Sequence, residues 1–322
     1  MITVLMAAYN GEKYIGEQIE SIIYQTYTDW KLVIKDDHST DNTLKIAYDY
    51  ESKCPEKIRV LTQDINTGNA SHNFFSMLPY ADGDYIMFAD DDDVWIPEKM
   101  SMSLNIMSAL ELRHGSDKPI LVHSDLEVVD IKLQRVAKSL FSWQRLDWKH
   151  NSLNYLLAQN IVTGCTIMVN KSLLEMVSKP PQNAIIHDWW FALVAAAFGG
   201  IGFVDYSTVK YRQHGMNQIG AKNAKSIRYY INRLRTIGQT KKEMDATCLQ
   251  AKEFYDRYET HMNMDMKQMI QAYISLPKES LIGRIHILSK YRFWKSGLLR
   301  RLGQIVMRHS MLNSHENFKY FK

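Results

Sequence analysis

Asp90, Asp91, Asp92 and Asp93 follow one another directly at the end of an apolar run, Tyr85 to Ala89. Four clustered carboxylates repel one another and raise one another's pKa. A divalent cation bound to phosphates relieves that repulsion, and hard oxygen ligands suit Mg²⁺ or Mn²⁺. An apolar strand that delivers acids to its C-terminal end also puts them where an open α/β sheet binds ligands. The plainer alternative is a solvated acidic loop, or acids at a helix start, since Pro97 and Glu98 open a helix just after.

Positioning those acids requires a frame, and the first half of the chain alternates short apolar runs with helical patterns. Ile2 to Ala8, Trp30 to Ile34, Ile58 to Leu61 and Tyr85 to Ala89 read as strands. Tyr14, Ile15, Gln18, Ile19, Ile22 and Ile23 recur at helical spacing. Thr40 or Asp41 can cap a helix carrying Leu44, Ala47 and Tyr48, and Asn73 to Leu78 lies on another, stopped by Pro79. Strand–helix–strand repetition predicts parallel pairing with right-handed crossovers. Strand ends then gather on one edge, bringing Ala8-Tyr9-Asn10, Asp36-Asp37 and Asp90 to Asp93 together. Ile120 to His123 and Thr166 to Val169 look like further strands, Ser152 to Gln159 like a helix, and Trp189 to Val204 like a buried helix turning into a strand.

A chain of 322 residues holds one large or two medium domains. The net charge of +4 is too mild to imply nucleic acid across the surface. Cys54, Cys165 and Cys248 are widely spaced, form no metal pattern and read as reduced thiols of a cytosolic protein. Met1 leads straight into the first strand, so no signal peptide is expected. Beyond Ala221 the pattern shifts to charged helices, the first with Arg228, Arg233, Arg235, Lys241 and Lys242. A domain boundary is placed near Gly220, separating a catalytic region, 1–220, from a helical one, 221–322.

The residues in hand resemble family 2 glycosyltransferases. The match includes Ala7-Ala8-Tyr9-Asn10, the helix ending Ser21-Ile-Ile-Tyr-Gln25-Thr26, and Asp36-Asp37-His-Ser39-Thr-Asp41-Asn-Thr43. It continues through Asn66-Thr-Gly68, Ala81-Asp-Gly-Asp84 and the Asp-rich turn, and the order and spacing carry it. Phe88-Ala-Asp-Asp-Asp-Asp-Val-Trp95 and Tyr211-Arg-Gln-His214-Gly-Met-Asn217 look most like bacterial rhamnosyltransferases. The resemblance implies the GT-A fold: a Rossmann-like α/β architecture with a mixed, mostly parallel sheet flanked by helices, here with a C-terminal helical extension.

The resemblance also implies roles. Ala8, Tyr9 and Asn10 would line the nucleotide site, with the Tyr9 ring against the base. Asp36 or Asp37 would accept the imide N–H of uracil or thymine. Gly68 would let backbone approach the ligand, and Asp90 and Asp91 would lie beside the nucleotide. Asp92 is the main ligand expected for Mn²⁺ or Mg²⁺, with Asp90 and His214 as further ones. Asp188 falls where the family shows its general base, and His187 stands where an acid is usual. A helix-cap role for Asp188 is compatible, since a capping carboxylate stays ionised near the helix dipole. Asn160 to Cys165 would shape the acceptor side, and Trp143, Trp189 and Trp190 could stack on sugars or belong to the core.

The implied reaction is inverting transfer of one sugar from a nucleotide-sugar donor to a glycan acceptor, lipid-linked or protein-linked. dTDP-rhamnose is the first donor expected, then UDP-glucose or UDP-galactose. A nucleotidyltransferase is the rival enzyme, but Ala8-Tyr-Asn-Gly-Glu12 supplies no Gly-rich loop. A non-catalytic scaffold is the rival from another class. Between Leu281 and Met311, apolar residues alternate with Lys290, Arg292, Lys295, Arg300, Arg301 and Arg308 and no acid. Such a span suits either an anionic membrane surface or packing on another domain or subunit in a homo-oligomer.

Overall fold

The structure, a computed structural model, describes residues 1–177, 179–214 and 237–306. Asn217, Gly220, Arg228, Arg233, Arg235, Arg308 and Met311 lie outside the described residues.

Two compact units emerge. The first comprises Met1–Leu140, Val162–Pro180 and 198–214; the second comprises Phe141–Ile161, Pro181–Ala197 and 237–306. The helical part expected only beyond residue 220 is thus joined by two earlier segments.

In the first unit the expected strands form where the apolar runs lie: β1 (Ile2–Ala8), β2 (Trp30–Asp36), β3 (Ile58–Leu61) and β4 (Tyr85–Asp90). Between them run α1 (Ile15–Ile23), α2 (Thr43–Lys53) and α3 (Ala70–Met77). α3 starts earlier than the apolar pattern suggests, because the Asn69 side chain accepts a hydrogen bond from Ser71 N at 2.8 Å and caps it. β5 (Val94–Trp95) and α4 (Lys99–His114) follow the Asp-rich turn. β6 (Ile120–Val129), β7 (Arg135–Ala137), β8 (Met168–Asn170), α7 (Lys171–Met176) and β9 (Gly200–Arg212) complete the unit; β9 runs well past the apolar stretch that announced it.

The strands form one sheet in the order β3-β2-β1-β4-β8-β6-β9-β5, with β7 on β6. β1, β2, β3 and β4 pair in parallel, as do β6 and β9, whereas β8 runs antiparallel to both its neighbours. The parallel pairing of β1 to β4 is as the residue pattern predicts, and the mixed, mostly parallel sheet is as the resemblance implies. Val4, Leu5 and Met6 on β1, and Ile86 to Ala89 on β4, have no exposed surface, since helices cover both faces of a parallel sheet. Each such side chain contributes roughly 1.5–3 kcal/mol on burial. The register pairs Ala8 with Asp36 and Ala7 with Asp90, so the acids of β2 and β4 end level with the end of β1.

The second unit is helical: α5 (Leu140–Gln144), all but its first residue, then α6 (Leu153–Ala158), α8 (His187–Phe198), α9 (Ile237–Tyr258), α10 (Met264–Ser275), α11 (Leu281–Tyr291) and α12 (Leu298–Val306). The segment before α8 joins α9 through polar contacts. Glu253 accepts from Gln182 N and Asn183 Nδ2, and Gln250 Oε1 accepts from Ile185 N. Trp190 sits fully buried, edge-on to Phe254 at 5.7 Å.

Candidate active site

The end of β4 supplies four adjacent acids, and the first unit gives Asp91, Asp92 and Asp93 different partners. Asp91 Oδ2 accepts from the backbone N of Tyr9 at 2.8 Å. Asp92 Oδ2 lies 2.7 Å from His214 Nε2. Asp93 is fully buried; its Oδ1 accepts from Arg212 N at 3.1 Å, and the Cys165 thiol lies within 4.8 Å of its carboxylate. Asp90 ends the strand and is half-buried.

Burial, followed by the neighbouring Asp92 and Asp90, pushes the carboxyl of Asp93 well above the usual range. Burial and then the Asp92 charge do the same to Asp91. The nearby Lys99 ammonium has no exposed surface and stands 4.5 Å from the Trp95 ring centroid. Burial brings its pKa down to about 8, against the opposing pull of Cys165 and Asp93.

β1 delivers the other side. The Tyr9 ring is 52% exposed, available for stacking. Asn10 takes a left-handed conformation, φ 51°, which Asn tolerates. Its Oδ1 accepts from Thr40 N at 2.8 Å and its N donates to Ser39 Oγ at 2.9 Å. Asp36 Oδ2 accepts from Ser39 N at 2.9 Å, while its Oδ1 is buried without a protein partner. Asp37 is occupied differently: Oδ1 accepts from Thr67 N at 2.8 Å and Oδ2 from Thr67 Oγ1 at 2.7 Å. Asp37 thereby holds the loop in which Gly68 takes φ +69°, a conformation that glycine adopts at little cost.

Arg212, Tyr14 and Glu17 complete the arrangement and were given no role by the sequence pattern. The Arg212 guanidinium is 2% exposed, pairs with Glu17 and donates through Nε to the Asp92 carbonyl at 2.8 Å. It also lies 4.6 Å from the Tyr14 ring centroid, and Tyr14 stacks on His214 at 5.1 Å. Arg212 stood within a quoted motif, but a basic residue at a strand end reads as solvated. Its acid partner lies 195 positions earlier in the chain.

Asp92 and His214 bring a carboxylate oxygen and an imidazole nitrogen together; the carboxylate suits Mn²⁺ or Mg²⁺, and the imidazole favours the softer Mn²⁺ of the two. A second trio, Asp90, Asp93 and Cys165, has ligand atoms within 4.8 Å of one another. It does not suit an ion: burial keeps the Cys165 thiol protonated and Asp93 is committed to Arg212.

In the second unit Asp188 stands in the first turn of α8, 3% exposed, with Oδ1 accepting from Asn160 Nδ2 at 2.9 Å. His187 beside it is buried, and that burial lowers its pKa to about 3, so the ring is neutral at physiological pH. Trp189 donates through Nε1 to the Leu156 carbonyl at 2.6 Å. Trp189 and Trp190 are core residues of this unit rather than sugar-stacking platforms. Trp143 is half-buried. In the first unit, Gly164 to Thr166 form a buried turn.

The acids lie at the C-terminal edge of the parallel part of the sheet, where an open α/β sheet binds its ligands. The chain belongs to glycosyl transferase family 2, whose model matches residues 3–176. It is 28% identical over 235 residues to the dTDP-rhamnosyl transferase RfbG of Shigella flexneri, covering 70% of this chain and 76% of that protein. It is 35% identical over 195 residues to the UDP-Glc:alpha-D-GlcNAc-diphosphoundecaprenol beta-1,3-glucosyltransferase WfgD of Escherichia coli, covering 60% and 70%. Among solved structures, residues 1–349 of S. aureus TarS in complex with UDP-GlcNAc align with a TM-score of 0.57 at 18% identity, over 90% of this chain and 80% of that one. That likeness places the fold among GT-A glycosyltransferases. The protein is a glycosyltransferase.

Gly11 tests the acid arrangement. A Cβ there would sit 2.4 Å from Asp91 Oδ2. Gly11→Ala is expected to cost about 1–3 kcal/mol in denaturant unfolding, and Asp91→Ala in the same chain to recover part of that loss. Additive losses in the double-mutant cycle would show that Asp91 does not occupy this position.

Proposed function

We propose that this chain adds one sugar, with inversion, from a nucleotide-sugar donor to a surface polysaccharide precursor or a glycoprotein glycan. The observation that carries the reading is the meeting of Asp92 and His214 at 2.7 Å, beside the exposed Tyr9 ring and the Asp36-Asp37 pair. Tyr9 would pack on the base, with Ala8 and Asn10 forming the adjoining wall. Asp36 or Asp37 would accept the base imide proton, which cytosine lacks at N3. Gly68 would let the loop backbone approach the nucleotide, and Asp90 and Asp91 would flank it.

Asp92, with Asp90 or His214, would hold Mn²⁺ or Mg²⁺, which when bound neutralises charge on the leaving diphosphate. Asp188 would accept the proton of the acceptor hydroxyl as that oxygen attacks the anomeric carbon. Its Oδ1 accepts a hydrogen bond from Asn160 Nδ2, which would orient the carboxylate. No covalent intermediate is needed. The donor favoured is dTDP-rhamnose, supported by the name of the S. flexneri relative, with UDP-glucose next, supported by that of the E. coli relative. The latter's name also supports a lipid-linked acceptor. The ordered set of acids and their partners favours an enzyme over a non-catalytic scaffold. An assay for free nucleoside diphosphate, released only when donor and acceptor are both present, tests the reading.

Asp188→Asn removes the base while keeping its shape. Turnover is expected to fall on the order of 10²–10⁴-fold, with donor affinity nearly unchanged. Wild-type turnover in this variant would remove Asp188 from the mechanism. Donor choice is read by competition: dTDP is expected to inhibit more strongly than UDP, and equal or reversed inhibition would count against dTDP-rhamnose.

A further inference from the structure

The span from Leu281 to Val306 carries Arg284, Lys290, Arg292, Lys295, Arg300 and Arg301 and no acid. It folds as two helices, α11 and α12, parted by a turn in which Arg292 takes a left-handed conformation, φ 57°. Two of the bases are spent inside the second unit. Arg284 is 3% exposed and donates to the Ile305 carbonyl at 3.1 Å. Arg300 donates to the Ser296 and Gln144 carbonyls at 3.1 and 3.0 Å. Leu288, Phe293 and Gln304 fill the interior, with Gln304 Nε2 donating to the Phe293 carbonyl at 2.8 Å. Leu281, Ile282, Ile285, Leu298 and Leu302 take no part in this interior.

Those residues face water. Ile282 is 80% exposed, Leu281 55% and Ile285 38% on α11; Leu298 is 73% and Leu302 46% on α12. Ile282 and Ile285 lie three apart and Leu298 and Leu302 four apart, so each pair shares a helix face. Lys290 on α11, Arg301 on α12 and Arg292 in the turn between them are exposed. Scattered exposed aliphatics are ordinary, but five in one acid-free, basic span are a concentrated apolar surface.

From this we infer that α11 and α12 form a docking surface for an anionic lipid bilayer. Apolar side chains would enter the acyl boundary while the flanking bases meet anionic headgroups. The charge decides between occupants. A second copy of this chain would set basic spans against each other, whereas an anionic bilayer complements them. No described helix is long and apolar enough to cross a membrane, so the contact is peripheral. This surface is independent of the catalytic reading, and its test needs no sugar transfer.

The test is co-sedimentation of the full chain with vesicles of phosphatidylcholine alone or mixed with phosphatidylglycerol, at low and high salt. Binding to the anionic vesicles at low salt is expected, weakened by salt and roughly tenfold or more weaker on phosphatidylcholine alone. Ile282→Asp with Leu298→Asp, both at exposed positions, should abolish it, and Arg292→Glu with Arg301→Glu should weaken it by at least the same factor. Circular dichroism should show both double variants folded. Failure of the wild-type chain to bind anionic vesicles at low salt overturns the inference, as does binding that both folded variants retain. Light scattering that shows a wild-type dimer broken by the aspartate variant, without vesicle binding, gives the face to a second copy instead.

Discussion

Four adjacent carboxylates at the end of a buried strand cannot stay together without cost, and the first unit offsets that cost by giving three of them separate partners. Tyr9 N receives one, His214 meets another, and Arg212 N takes a third inside the protein. The fourth, Asp90, closes the strand. Burial and mutual repulsion drive Asp91 and Asp93 toward their proton-bearing forms. A divalent cation held at Asp92 would relieve that repulsion, so the same constraint would serve both the fold and the proposed chemistry.

The partners come from far apart in sequence, and the parallel sheet is what brings them together. Its register levels the ends of β1, β2 and β4, and β9 returns to place Arg212 and His214 over the Asp-rich turn. Arg212 then does three things at once: it neutralises Glu17, lies against Tyr14, and fixes the Asp92 backbone. Tyr14, which precedes α1, in turn stacks on His214 and supports its imidazole. Asp37 is used in the same economical way, fixing the loop around Gly68 through Thr67.

Much of this was legible from residue order. β1 matches its apolar run because a strand buried on both faces is almost wholly apolar, and β3, at the sheet edge, matches its run although only Ile58 is buried. Helix starts were less visible where polar residues set them, as at Asn69. The acids themselves were plain; their separate fates were not. Which aspartate meets His214 and which is buried depends on backbone direction at single residues and on partners more than 100 positions away, such as Arg212. The aromatic pair Trp189-Trp190 could be read as core or as sugar platform, and only the packing around Phe254 and Leu156 decides for core. The domain plan was partly legible: the C-terminal helices were expected, but Glu253 and Gln250 drawing residues 182–185 to α9 could not be read from spacing.

The central claim is that Asp92 anchors a divalent cation shared with the nucleotide diphosphate. Mn²⁺ titration followed by electron paramagnetic resonance tests it most directly, since the free-ion signal falls as the ion binds. The account predicts that the chain with dTDP depletes free Mn²⁺ more than dTDP alone, and that Asp92→Ala removes that extra depletion while His214→Ala reduces it less. Equal depletion by the wild-type and Asp92→Ala chains, or no depletion beyond that of dTDP itself, would contradict it.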